Sequence, residues 1–145
     1  MSSDSKQPIV WAYLITALIS LVGLADAIYL TVQDLTGQNL RCTIISGCAE
    51  VLGSKYAHIG SIPLAVLGAF AYFSVFSLSI LAAFGHQFAR PLLAALVGVM
   101  FLMTLWLLYL QAFVIHHFCQ YCLLSAAVTI TLTILVAVAG RRKRE

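Results

Sequence analysis

Four long apolar runs, at residues 9–32, 62–84, 91–115 and 120–139, take up most of this chain. A helix needs about 20 residues to cross the hydrocarbon core of a bilayer, so each run predicts a membrane-spanning helix. In the first, Trp11, Tyr13 and Tyr29 stand near the ends, where amphipathic rings prefer the interface. The second and third open with Pro63 and Pro91, which are tolerated in a first turn because the missing N–H has no partner there anyway. Gly68, Ser74, Ser77 and Gly98 are expected where helices approach closely. Residues 85–90 form a tight connection. Residues 1–8 predict a short disordered start rather than a signal peptide, because the apolar run that follows is too long and no small-residue cleavage site closes it.

The one long polar stretch covers residues 33–61, and a connection of that length is usually functional. Thr36-Gly37-Gln38-Asn39 reads as a turn. From Cys48 onward Val51, Leu52 and Tyr56 recur at helical spacing. They predict a short amphipathic helix over the mouth of the bundle. The expected architecture is therefore an all-α integral membrane protein. It is a four-transmembrane-helix bundle with a short amphipathic helix in the first outer loop, one membrane domain over residues 1–145.

Composition supports this class. Of 145 residues, 62% are hydrophobic and 9% charged, and the mean hydropathy is +1.01. Soluble domains carry roughly 25% charged residues. The net charge of +3 gives no nucleic-acid signal, since four of the eight basic residues are packed into the tail Arg141-Arg142-Lys143-Arg144. Four spans put both termini and the 85–90 connection on one side, with Lys6, Arg90 and the basic tail; the other side holds Arg41 and Lys55. The positive-inside rule then puts the termini in the cytosol. The long polar loop lies on the outer face.

All four cysteines share that outer side. Cys119-Gln120-Tyr121-Cys122 opens the last span, which sets the pair about one helical turn apart at a helix N-terminus. The unpaired N–H groups and dipole of such an end favour a thiolate and lower a cysteine pKa. Cys42 and Cys48 lie in the polar loop. Two structural disulfides are one alternative, although a Cys-x-x-Cys loop is too short to constrain an unfolded chain much. A zinc site completed by His116 or His117 is another; the five-residue gap between the loop cysteines is loose for it, and an oxidising compartment disfavours it. No metal is therefore expected, and both histidines are read as interfacial. Redox exchange fits best: a loop dithiol meets water-borne proteins, and a membrane-embedded dithiol meets a lipid-soluble quinone. Asp26, the one charge inside a span, is either an interfacial residue or one that faces a buried polar site.

The order and spacing of Cys42-x5-Cys48-Ala-Glu-Val-Leu-Gly-Ser54, Ile62-Pro63, Gly68-x3-Tyr72 and Cys119-Gln-Tyr-Cys122 resemble the vitamin K epoxide reductase family in its bacterial form. The likeness runs from Gly23 to about Ala126. It implies a bundle closed around a quinone of the ubiquinone or menaquinone class, capped by the loop. Cys119 and Cys122 would be the active-site pair, with Cys122 beside the quinone and Cys42 and Cys48 as shuttle cysteines. Tyr121, Tyr72, Asp26 and Ser54 are expected around the quinone with Cys122. Cys119, nearer the water, would be within reach of the loop dithiol, and the helix end would stabilise the thiolate left on Cys122. Many bacterial relatives carry a fused thioredoxin-like domain; the expectation here is a thioredoxin-like or DsbA-like partner in trans, at a bacterial inner membrane. Ala126 stands where the vertebrate enzymes have a tyrosine and Leu64 where they have an asparagine, which argues against epoxide chemistry. The DsbB-type quinone reductases place their two cysteine pairs in the reverse order. A small transporter or assembly factor with structural cysteines would want more polar residues inside its spans than Asp26 alone.

Overall fold

The computed structural model describes residues 2–36, 55, 58–116 and 118–144. Helix α1 (Ser2–Leu35) is followed by a hairpin of two short strands, β1 (His58–Ile59) and β2 (Ile62–Pro63). Then come α2 (Leu64–Ala83) and α3 (Ala89–Tyr109), the latter running on as a π-helical segment, Leu110–Ile115, and finally α4 (Gln120–Arg144). All four helices are long and apolar enough to cross a membrane. The chain is an all-α, multi-pass membrane protein.

Several boundaries differ from the expected ones. The start is helical from Ser2, and Pro8 lies inside α1 rather than ahead of it. A proline at that depth leaves one carbonyl of the preceding turn without its helical N–H partner, but the start of the apolar run marks where the membrane begins, not where the helix does. The basic tail likewise continues α4. Residues 62 and 63 belong to the hairpin, with Pro63 as the residue just before α2. Its turn depends on Gly60, whose φ of +65° is a left-handed value that glycine adopts without strain. The amphipathic helix expected around Cys48 lies outside the described residues.

Helix α1 packs most extensively on α2. It buries a stripe of Tyr13, Thr16, Ala17, Ser20, Gly23, Ala27 and Leu30, spaced three and four apart. Lipid is as apolar as a leucine side chain, so close approach through small residues drives such contacts. A Cβ on Gly23 would overlap the ring of Tyr72, and one on Gly68 would meet the Ala27 methyl at 3.8 Å. Gly98, expected at a helix contact, has nothing within 4 Å of where its Cβ would stand. Large apolar side chains such as Leu18, Phe70, Leu102 and Trp106 point outward, as a bilayer allows.

Helix α3 sets the shape of the site. It buries Ala89, Leu93 and Val97 near its start, and its π-helical continuation buries Leu110 and Gln111. Between these points Leu96, Met100, Met103 and Leu107 line a cavity.

Candidate functional site

That cavity has a volume of about 350 Å³, within the usual range for a small-molecule pocket. Its walls are mostly aliphatic and methionine side chains from all four helices, with a few polar groups at defined heights. Asp26, Leu30 and Asp34 line it from one face of α1, four residues apart. At the rim the Asp34 carboxylate lies 3.1 Å from His58 Nε2, each side chain about 30% exposed, which ties the end of α1 to the hairpin. Asp26 is buried, and its Oδ2 has no hydrogen-bond partner among the described residues.

Tyr72 enters the cavity wall from α2. Its ring lies against Gly23. Its hydroxyl stands 2.6 Å from Ser125 Oγ and 3.0 Å from Thr129 Oγ1, crossing to α4. The tyrosine is locked at both ends, so it shapes the wall and its polar head is already engaged.

The redox-competent sulfurs lie where α4 begins. Cys119 is the N-cap, and its carbonyl accepts the Leu123 N–H at 2.9 Å. The Cys122 thiol donates to the Cys119 sulfur, and the Cys122 and Tyr121 backbone N–H groups add to it. Together they bring the Cys119 thiol down to about 7 against burial and the Asp26 charge. In the reduced pair the helix end therefore acts on Cys119. Cys119 is also fully enclosed, although it stands at the helix start that was expected to face water. Cys122 is half-buried and lines the cavity.

Sequence reasoning missed Gln111. This buried side chain accepts the Cys119 N–H on Oε1 at 3.2 Å, across the turn that joins the π segment to α4. An apolar run with one glutamine gave no reason to single it out; the signal lay in its position eight residues before Cys119. The π segment that carries it ends at His116, whose φ is +61°. π-Helical turns inside α-helices often occur at functional sites.

The expected site residues thus separate. Cys122, Tyr72 and Asp26 face one cavity, with Leu64 and Ala126 also in its wall. Tyr121 points elsewhere: its ring packs against Tyr29 at 5.3 Å, outside the cavity lining. Cys42, Cys48 and Ser54 lie outside the described residues, as does His117.

The chamber is apolar, and one sulfur of the pair, Cys122, stands in its wall. The chain matches the model of the vitamin K epoxide reductase family over residues 14–137, which takes in every element of the bundle from α1 to α4. A match of this extent makes the chain a member of the vitamin K epoxide reductase family, and so, in general terms, a membrane oxidoreductase of the thiol–disulfide and quinone-linked kind.

Proposed function

We propose that this protein carries electrons from a thioredoxin-like protein to a membrane quinone and so supports disulfide formation outside the cytosol. The observation that carries the reading is the pairing of the two sulfurs. The Cys122 thiol favours the thiolate of Cys119, while Cys122 itself borders the apolar cavity.

The cavity fits a quinone in kind: apolar walls for the ring and Asp26 and Gln111 as polar groups. A bound quinone would supply a sink for two electrons and two protons, becoming a quinol. The Cys122 thiol already donates to Cys119, so moving that proton along the hydrogen bond leaves the negative charge on Cys122, the cavity-facing sulfur. Forming the Cys119–Cys122 bond then releases two electrons and the one proton left on the pair, and the second proton of a quinol comes from water. To restore it, a loop thiolate from Cys42 or Cys48 attacks Cys119, the S–S bond breaks, and Cys122 leaves as the thiolate. The second loop cysteine resolves the mixed disulfide, and the oxidised loop pair takes electrons from the protein partner. The reading places both termini in the cytosol, on the side with six of eight basic residues, and the cysteines on the outer face.

The test is quinone reduction by the purified protein with a reduced thioredoxin-like protein as electron donor. Stoichiometric quinol and oxidised partner are expected. Quinone consumption that is unchanged when Cys119 and Cys122 are both replaced by alanine would overturn the assignment.

A further inference from the structure

Gln111 connects the redox pair to the cavity through one side chain. Its Oε1 accepts the Cys119 N–H. Since an N–H requires an acceptor, that contact fixes which way the amide points. Its Nε2 group is then the part left for other contacts, and it makes no hydrogen bond among the described residues. Gln111 is 3% exposed and lines the cavity. Two amide hydrogens on a buried side chain beside an apolar chamber call for an acceptor, and none is hydrogen-bonded to them among the described residues. Tyr72 does not fill that role, because its hydroxyl is engaged with Ser125 and Thr129 on α4. The π segment sharpens the case: Gln111 sits at its start, where the wider turn changes the direction in which side chains leave the helix.

We infer that Gln111 orients the cofactor: its Nε2–H donates to a carbonyl oxygen of a quinone in the cavity, while its Oε1 holds the Cys119 backbone. One amide would thereby fix the ring relative to the dithiol. This rests on the reading of the chain as a quinone-linked oxidoreductase. It assigns a ligand contact to a residue that carries no redox chemistry itself, and it selects for ring systems with a carbonyl acceptor over apolar molecules of equal size.

The test is equilibrium binding of a short-chain ubiquinone analogue to the full chain in detergent, alongside hydrogen exchange of the Cys119 amide. Gln111→Met removes donor and acceptor together; it should raise Kd about tenfold, the usual worth of one hydrogen bond, and speed Cys119 amide exchange. Gln111→Glu separates the two roles and stands alone if the methionine variant does not fold. Its carboxylate still accepts the Cys119 N–H, so exchange stays slow, but at high pH it has no donor and binding weakens. As pH falls the carboxyl gains an O–H, and affinity relative to wild type should recover. Glutamate and methionine variants that both bind as tightly as wild type at every pH would overturn the inference while leaving the quinone reading intact. A wild-type chain that binds no quinone would overturn both.

Discussion

Replacing Cys122 by alanine removes the thiol that donates to the Cys119 sulfur, the largest contribution holding Cys119 near 7. A hydrogen bond to a charged group is worth about 1.5–3 kcal/mol. At 1.36 kcal/mol per pKa unit the loss should raise Cys119 by about 1–2 units. The direction follows from the donor's preference for the thiolate: without it, the neutral thiol gains. At pH 7 the ionised fraction would fall from about a half to below about a tenth. Reaction rate at a single pH would read this poorly, because a more basic thiolate is intrinsically more nucleophilic and recovers roughly threefold per unit. The full titration is the better measurement. In a Cys42→Ser, Cys48→Ser background, ultraviolet thiolate absorbance against pH should show Cys119 alone in the Cys122→Ala variant. Cys122→Ser keeps an O–H donor at the same place and should titrate near the present value. If the alanine variant also titrates near 7, the backbone N–H groups of Tyr121 and Cys122 hold the thiolate by themselves, and the proton path from Cys122 to Cys119 loses its support.

Gly23→Val should destabilise the bundle by about 1–3 kcal/mol, the cost of overpacking, because Tyr72 is pinned to α4 and cannot swing aside; detergent-induced unfolding would show it. Tyr72→Phe should cost about 1 kcal/mol in the same assay, since membrane-buried hydrogen bonds average less than that each and Thr129 keeps its bond to the Ser125 carbonyl. His116→Gly should stabilise by about 1 kcal/mol, as glycine relieves the left-handed backbone there; a loss of stability would show that the imidazole makes a contact worth more. Cys42→Ala or Cys48→Ala should stop oxidation of a protein substrate yet leave dithiothreitol-driven quinone reduction largely intact, and equal loss in both assays would assign the loop pair a structural role.

What the sequence made legible follows from how strongly each feature is forced. A bilayer admits backbone only as helices or closed barrels, so four long apolar runs left one answer for the fold. Cys119 as a capped sulfur was equally forced, because a cysteine that precedes a helix has N–H groups converging on it. Which sulfur receives the charge was not forced. It depends on the Cys122 thiol turning toward Cys119, a choice of rotamer that one-turn spacing permits but does not require. Helix ends failed for a related reason: Ser2–Pro8 and the basic tail are helical beyond the lipid, where hydropathy is silent. Gln111 was hidden most completely. Its placement depends on the π-helical register of Leu110–Ile115, and a one-residue change in turn width leaves no trace in an apolar run. Yet that register brings the side chain that accepts the Cys119 N–H into the wall of the cavity that Cys122 faces. The cavity has the same origin, since α3 is fully buried only near its two ends and lines the cavity between them. The spans were written in composition, and the site in the places where α3 departs from a regular, fully packed helix.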